Sequence, residues 1–411
     1  MAFGMFSGQV SPIAIDLGSA SAKLLQTGSH GDTVALVAAT EVPIPDDARG
    51  DADRTMMFWA EALPEALRKG RFKGKRAVIS MHASQTLTQH MQIADTDGLT
   101  RDDAIKAQLQ MQLNVLPQNV VVRSVEVGPV HRNGQARTEM ICFAIAKDTV
   151  MRYVDLLRRF KLEVVGVHTE TLALVRAFDH INRRVGDDHI TTLYADMGWS
   201  GTRVAIAHGN RLVFARYINI GGRHFDQTIA SSMRCGLDEA RRLRLGLPGE
   251  FLTSSGEGAM LSIAAEAATR ANAVRATGAS SAAVMEERRG LRTPSVLKHG
   301  IRPSEGPRSF SSADITELLD TITDEVAMCL RYHQGLFKGR KIDRAIFVGG
   351  EARQAWLCQH MVKSLRVAAH MADPLSRFDP TAAGETPGLT LGKPQPGWAV
   401  ACGLSNAPTD L

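Results

Sequence analysis

Two segments in different halves of this chain follow the same plan, and this repetition constrains the fold more than any other feature. The first reads IAIDLGSASAK and the second LYADMGWSGTR, and laid together they place Asp16 over Asp196 and Gly18 over Gly198. An apolar stretch that ends in Asp-aliphatic-Gly and a polar turn indicates a strand that stops and then reverses. The repetition therefore predicts a chain built from two related halves.

Length and composition narrow the class of protein. The 411 residues, 44% hydrophobic and 22% charged, suffice for two or three domains with their own cores. Five scattered cysteines without a C-x-x-C pair argue against zinc or redox chemistry and are typical of a reduced cytosolic protein. No stretch approaches the roughly 18 apolar residues that span a bilayer, and the start lacks a signal-peptide pattern. We expect a cytoplasmic protein that reaches the inner membrane only through a partner.

The formal net charge of +5 is concentrated in residues 241–309. This segment holds 11 Lys and Arg against 6 Asp and Glu, an excess equal to that of the whole chain. Between about 248 and 311 it is rich in Ala, Ser, Gly and Arg, which favours a poorly ordered loop, with a protein contact surface as the alternative. Because the remainder is neutral, we do not expect nucleic acid as a partner, whereas an acidic protein or an anionic membrane face stays open.

The order of predicted elements divides the chain further. Strands open the first half, and residues 82–160 then read as a β-α-β-β-α unit inserted into it. We predict a first lobe at 11–190, a second lobe at 191–395, and a C-terminal helix within 396–411 that returns to the first lobe.

The turns after the repeated strands carry the candidate chemistry. Small hydroxylated residues there present backbone N–H groups and hydroxyls that can hold phosphate oxygens. Asp16 can organise a hydrated magnesium ion, and Lys23 can reach a terminal phosphate. A single motif of this kind is more often a plain β-turn, but two facing turns can grip a polyphosphate from both sides. In IFVGGEA, Gly349 and Gly350 end a strand where the backbone can approach a nucleotide closely.

Taken together, both Asp-x-Gly turns, the late strand-VGG segment and the inserted unit resemble the actin/sugar-kinase/heat-shock-chaperone ATPase superfamily. The stretches FARYINIGGRHFDQTIA and ICFAIAKDTVMRYVDLLRRFKLEVVGVHTETLALVRAF are similar to the PilM family of type IV pilus assembly, in the FtsA-like branch. This resemblance implies an α/β, two-lobed actin-like ATPase fold. It would have duplicated RNase H-like βββαβα cores and an inserted β-α-β-β-α subdomain in the first lobe.

The resemblance also implies roles for residues at matching positions, with ATP and Mg²⁺ as cofactors. The nucleotide-binding positions are Asp16, Gly18, Ser19, Ser21, Lys23, Asp196, Gly198, Ser200, Gly201, Thr202, Gly221, Gly222, Gly349, Gly350 and Glu351. Asp16 and Asp196 would hold the metal through water. Asp16 and Glu170 would be catalytic, with Glu170 orienting the attacking water, although the helix dipole alone also favours a Glu at a helix start.

One segment departs from the family pattern. The helix that covers adenine and ribose usually carries an A-E-x-x-K-like pair, whereas this chain has EARRLR, with Arg241 and Arg244 at those positions. Glu239 is the remaining candidate for accepting the ribose hydroxyls.

The function implied is a cytosolic ATP-binding adaptor for type IV pilus assembly, or a related secretion or competence system, and at most a slow ATPase. Its implied partner is the cytoplasmic N-terminal tail of a PilN-like bitopic membrane protein, with motor or platform components and self-association also open. Ile105, Leu109 and Leu113 are the predicted contacts, unless they are core. The alternatives are a small-molecule kinase of the same fold and a scaffold that needs no nucleotide.

Overall fold

The computed structural model describes residues 10–30, 33–94, 100–113, 116–132, 135–184, 186–248, 313–378, 389 and 393–409. The chain separates into two compact units, Met1–Phe225 with Glu317–Leu411, and Asp226–Thr316. Apart from Pro248, the basic segment predicted at 248–311 lies outside the described residues. The lobe boundaries predicted from the sequence remain a proposal.

The described residues form three sheets and a set of helices. The strands are β1 Ile13–Leu17, β2 Ser21–His30, β3 Thr33–Pro43, β4 Arg76–Met81, β5 Leu87–Ile93, β6 Val120–Arg132, β7 Gln135–Ala146, β8 Glu163–Thr169, β9 Thr191–Met197, β10 Thr202–His208, β11 Arg211–Ile218, β12 Arg344–Val348 and β13 Ala369–Met371. The α-helices are α1 Ala52–Lys69, α2 Arg101–Leu113, α3 Lys147–Arg159, α4 Glu170–Arg176, α5 Gly222–Met233, α6 Leu237–Leu245, α7 Ala313–Leu336, α8 Ala355–Leu365 and α9 Ala399–Leu404.

The two large sheets repeat one topology, as the sequence repetition predicts. The first has the order β3-β2-β1-β4-β8 and the second β11-β10-β9-β12-β13. In each, the first three strands in sequence pair antiparallel and the last two add in parallel. Because β1 and β9 are buried along their whole length, each forms the centre of its lobe. The strand ends that carry Asp16 and Asp196 thus occupy equivalent places.

The inserted unit has the predicted order β5-α2-β6-β7-α3, but its elements pack into two different hydrophobic cores. Its three strands form a separate antiparallel sheet, β5-β7-β6. The apolar side of α3, including Val150, Val154 and Leu157, packs instead with Ile13 and Ile15 in the core of the first lobe. The last helix of the insertion therefore anchors it to the first sheet.

Strands β5 and β7 of the inserted sheet also contact the second lobe. The His90 ring stacks on Phe214 of β11, with centroids 4.8 Å apart. Tyr332 of α7 donates its hydroxyl to the buried Glu139 carboxylate at 2.7 Å, and the His90 ring nitrogen lies 3.1 Å from the same oxygen. The inserted sheet therefore contacts the second lobe as well as the first.

The short helix α9 packs closely on α4 of the first lobe. A Cβ built on Gly403 would lie 1.7 Å from the carbonyl oxygen of Ala173, so only glycine permits this crossing. None of the described helices combines the length and apolarity needed to cross a bilayer.

Candidate functional site

The two hairpin turns that follow β1 and β9 are built alike, and we call residues 16–23 the first phosphate loop and 196–203 the second. In the first, Gly18 N donates to Ser21 O at 3.1 Å, and in the second Gly198 N donates to Gly201 O at 2.9 Å. Each hairpin also sets its Asp opposite a basic residue, because Asp16 pairs in register with Lys23 and Asp196 with Arg203. The repeat therefore extends from sequence to hydrogen-bond register.

The two phosphate loops face each other and are in direct contact. Ser200 N donates to Ser19 Oγ at 3.3 Å, which joins the tips of the loops. His82, just after β4, lies between them with Nε2 3.4 Å from Ser200 Oγ and Nδ1 2.7 Å from Ser84 Oγ. A cavity of about 170 Å³ reaches both tips and is lined in part by Gly18, Ser19, His82, Trp199, Ser200 and Arg223. The tips of both loops thus border one cavity, whose other walls come mostly from residues 50–59 and 82–85.

In the first phosphate loop, the cation has one ion-pair partner, and that partner is partly exposed. Lys23 Nζ donates to Ser21 Oγ at 2.7 Å and lies 3.3 Å from Glu41 Oε1, which belongs to a side chain that is 30% exposed. Asp16 is buried and accepts a hydrogen bond from Ser80 Oγ at 3.2 Å. Burial, followed by the nearby Glu170 carboxylate, raises the pKa of Asp16 to about 6. Lys23 is therefore held by a partly exposed ion pair.

In the second phosphate loop, the cation is buried among carboxylates. Arg203 Nε and Nη2 donate to Asp196 Oδ2 at 3.0 and 2.8 Å, and Nη1 donates to Glu170 Oε2 at 2.7 Å. Glu170 Oε2 also accepts from Ala83 N at 2.7 Å, and burial raises the pKa of this carboxyl. Arg203 was not among the predicted site residues, although the alignment of the two loops places it under Lys23, which was the signal for it.

The third predicted loop lies beside the second because a glycine lets two backbones meet. Gly349 has φ +92°, and a Cβ there would lie 2.2 Å from Met197 O and 2.5 Å from Asp196 Oδ1. Gly349 N donates to Pro396 O at 2.9 Å. Gly350 begins a 3₁₀ turn, Gly350–Arg353, which includes the buried Glu351.

The Gly-Gly pair after β11, Gly221 and Gly222, packs against the backbone of the second phosphate loop. Gly222 N donates to Gly198 O at 3.1 Å, and a Cβ on Gly221 would lie 2.4 Å from the same oxygen. Thr202 Oγ1 donates to Ile220 O at 2.9 Å. These predicted positions support the loop rather than lining its open face.

Glu239 lies in the unit Asp226–Thr316, where it is exposed in the first turn of α6. Arg244, the nearby departure from the family pattern, is buried and its Nε donates to Asp226 Oδ1 at 2.6 Å. Arg244, which departs from the family pattern, therefore has an ion-pair partner within the same unit. The prediction that Glu239 binds ribose remains a prediction.

The structure corrects the predicted partner contacts on α2. Ile105 and Leu109 are buried against Met91, Met140 and neighbouring side chains of the inserted sheet, because they form the apolar side of this helix. They are core residues, and so they are not available to a partner in this conformation. Leu113 lies at the end of the helix, and its side chain is outside what the structure describes.

As arranged here, the carboxylates of Asp16, Asp196 and Glu170 do not fit a magnesium site. Magnesium demands near-octahedral oxygen ligands, which are often waters held by carboxylates. Two of these three carboxylates already accept hydrogen bonds from Arg203. Within the described residues, no cluster of three or more His, Cys, Asp or Glu side chains is arranged to hold a metal ion.

Two lobes with one repeated sheet topology and two facing hairpin loops define the actin-like ATPase fold. The solved structure of a PilM-PilN type IV pilus biogenesis complex matches with a TM-score of 0.68 and 16% sequence identity, covering 96% of this chain and 97% of that chain. The sequence also matches, over residues 14–252, the family described as type IV pilus assembly protein PilM. This chain belongs to that family.

Two further solved structures are similar over most of their lengths. The ethanolamine utilization protein EutJ from Carboxydothermus hydrogenoformans has a TM-score of 0.46 and 12% identity, with 97% of this chain and 89% of that chain covered. MreB5 of Spiroplasma citri bound to ADP has a TM-score of 0.42 and 14% identity, with 95% and 94% covered. At these TM-scores they add nothing to the fold assignment.

Proposed function

We propose that this chain is an ATP-binding adaptor that docks the cytoplasmic tail of a PilN-like bitopic membrane protein during type IV pilus assembly. The observation that carries the nucleotide part is the direct contact between two equivalent loops, through Ser200 N and Ser19 Oγ. Phosphate oxygens inserted between the tips would replace that bond and accept from the same donors. The partner would bring the cytosolic chain to the inner membrane.

In this proposal, each of the three loops contacts a different part of the nucleotide. Lys23 supplies the cation for the terminal phosphates, while Ser19 and Ser200 supply donors from opposite sides. Gly349 and Gly350 allow close approach by the adenosine part. Mg²⁺ enters only as the counter-ion that the nucleotide itself carries. Because Glu170 is held by Arg203 and by Ala83 N, it is poorly placed to orient water, and turnover would be slow at most.

The inserted unit is the proposed platform for the partner. With Ile105 and Leu109 in its core, the available apolar side chains near α2 are Met111, which is 86% exposed, and Leu116, which is 53% exposed. We propose that Met111 and Leu116 belong to an apolar strip, a surface that suits a short peptide tail. The PilM-PilN complex, whose PilM component this chain resembles, supports the choice of partner.

The contact of the inserted sheet with the second lobe supports an adaptor role. His90 and Glu139 join this sheet to Phe214 and Tyr332, and β11, which carries Phe214, pairs with β10, which begins at Thr202. A change at the second phosphate loop can therefore reach the partner platform through one strand pair.

An ATP titration of the purified full-length chain tests the nucleotide part. We expect saturable binding that weakens at least about tenfold in Lys23→Gln and Lys23→Glu, which remove or reverse the proposed phosphate-binding cation, a loss of about 1.4 kcal/mol or more. Lys147→Gln, which removes an exposed ammonium group on α3, is the matched control and should bind like the wild type. Absence of binding, or equal binding by all four proteins, would favour a scaffold that needs no nucleotide.

A second titration, with a labelled synthetic peptide of the PilN-like tail, tests the partner part. Met111→Glu should weaken binding about tenfold or more, because it places a charge on the proposed apolar strip. Met57→Glu makes the same change at a 67% exposed methionine on α1 and should have no effect. Equal affinities for both variants would move the partner site away from α2.

A further inference from the structure

Three carboxylates from different elements lie buried near the guanidinium group of Arg203 in the second phosphate loop. Asp16, Glu170 and Asp196 converge from β1, α4 and β9, and all three are at most 6% exposed. Carboxylates this close would together repel the polyphosphate that the loops are proposed to bind. In proteins that bind phosphates beside carboxylates, a divalent ion commonly offsets this repulsion.

Here a side chain of the protein already supplies the positive charge. Arg203 makes three charge-assisted hydrogen bonds, two to Asp196 and one to Glu170, at 2.7 to 3.0 Å. A planar guanidinium group satisfies two carboxylates at once and stays charged at every physiological pH. Its side chain is only 11% exposed, so the pairs are shielded from solvent and screened little by salt.

The position of Arg203 argues that it serves the cleft and not only the stability of one lobe. It joins Asp196 of the second lobe to Glu170 at the start of α4, which follows the last strand of the first sheet. The same position in the first phosphate loop holds Lys23. The duplicated hairpin thus provides one basic residue to each side of the proposed phosphate position.

We propose that Arg203 takes the place of a divalent cation in this cleft, so that the chain binds ATP through its loops and Lys23 and gains little affinity from Mg²⁺. This inference rests on the proposed nucleotide function. Removal of the guanidinium group would leave Glu170 and Asp196 without a counter-ion, and only then would a divalent ion be needed.

The test compares ATP affinity in EDTA and in Mg²⁺ for the full-length chain and its variants. The wild type should show a ratio of less than about threefold between the two conditions, and Arg203→Lys, which keeps the charge, should behave similarly. Arg203→Gln should bind at least about tenfold more weakly in EDTA than in Mg²⁺. Arg216→Gln, which removes a half-exposed arginine paired with Glu325 on the second lobe, is the matched control and should behave like the wild type.

A second readout uses Mn²⁺ alone, measured by electron paramagnetic resonance without nucleotide. The wild type should not bind Mn²⁺, whereas Arg203→Gln should gain a site. Because that variant can lose stability, the double variant Arg203→Gln/Glu170→Gln, which removes one carboxylate with the cation, is measured beside it. A gain of Mn²⁺ binding in either folded variant supports the inference, and the absence of a gain in both contradicts it.

The results separate this inference from the proposed function. A wild-type ATP affinity that depends about tenfold or more on Mg²⁺, or Mn²⁺ binding by the wild type, would overturn the role of Arg203 and leave nucleotide binding intact. Failure of the wild type to bind ATP in either condition would overturn the nucleotide function, and the Mn²⁺ readout would then decide the role of Arg203 alone.

Discussion

The first and second phosphate loops have the same topology, the same turn hydrogen bond and the same Asp-to-base register, but their cations lie in different surroundings. Lys23 contacts Ser21 and pairs with Glu41, a carboxylate that is 30% exposed. Arg203, whose own exposure is similar, is bonded to two buried carboxylates, Asp196 and Glu170. An ammonium group on a flexible stem remains free to meet a ligand, whereas a guanidinium fork held by two carboxylates is fixed. Duplication has therefore produced one loop suited to binding and one suited to holding the lobes.

The largest expected effect is a loss of stability that differs between the variants of Arg203 and Lys23. Arg203→Gln should lower the free energy of unfolding by about 3–5 kcal/mol, because it leaves buried carboxylates without a partner. Lys23→Gln, the matched change in the first phosphate loop, should cost about 1 kcal/mol or less, since its ion pair is partly exposed. Urea denaturation at pH 7 measures both. Similar losses for the two variants would remove the distinction between the loops.

The next effect concerns His82, which links the first lobe to the second phosphate loop. Burial, helped by the charge of Arg203, lowers the pKa of His82 to about 4. Below the ordinary pKa of about 6.5 the unfolded chain binds a proton that the folded chain refuses, so stability should fall as pH drops from about 6.5 to 4. Its contribution should be on the order of 3 kcal/mol.

The check is the difference between wild type and His82→Gln in urea denaturation across that pH range. The variant should lose less stability on acidification than the wild type, because it lacks the titrating group. His189→Gln, at an exposed histidine in the turn before β9 that has no hydrogen bond to either phosphate loop among the described residues, serves as the control. Parallel curves for His82→Gln and wild type would show that His82 is not buried as described.

A smaller effect should follow from exchanging the residue that differs at one equivalent position, Ser21 in the first loop and Gly201 in the second. A Cβ on Gly201 would lie 2.3 Å from Tyr217 Oη and 2.7 Å from Ile218 O. Gly201→Ser should therefore cost about 2 kcal/mol, because a backbone oxygen cannot move aside as a side chain can. Thermal denaturation measures the change, and a neutral result would show that the second loop has more space than its geometry indicates.

The reciprocal change should have the smallest effect. Ser21→Gly removes the hydroxyl that receives from Lys23 and donates to Glu41 at 2.7 Å, and should cost about 1 kcal/mol. The ATP affinity should also fall slightly, because Lys23 loses the group that positions it. Ser21→Ala, which removes the hydroxyl without adding backbone freedom, separates the two causes. A loss of stability larger than that of Gly201→Ser would contradict the expectation that the second loop tolerates this exchange less well than the first.

Much of the fold could be predicted because it is recorded in local patterns. The alternation of strands and turns indicated both large sheets, and the repeated Asp-x-Gly turns indicated that they are related. The inserted unit was predicted with its five elements in order, since each has its own periodicity. The side on which α3 packs was not predictable, because one apolar face suits either the inserted sheet or the first sheet equally well.

The candidate site was predictable only in part, for a similar reason. The sequence identified Asp16, Asp196 and Glu170 as residues of the cleft, because their types and places in the motifs suit it. It also assigned Ile105 and Leu109 to a partner, yet the structure buries them, since an apolar helix face does not reveal what covers it. Spatial partners such as Ser80 for Asp16 come from distant strands and leave no mark in local sequence.

The sequence alone thus determined the duplication, the turn residues and the glycines that close approach requires, because these depend on short-range backbone geometry. Only the tertiary structure decided which charges meet. Lys23 and Arg203 occupy equivalent sequence positions, but the approach of α4 brings the buried Glu170 to the second cation, whereas the first pairs with the partly exposed Glu41. The interaction between charges depends on distance and burial, which are set when separate elements pack.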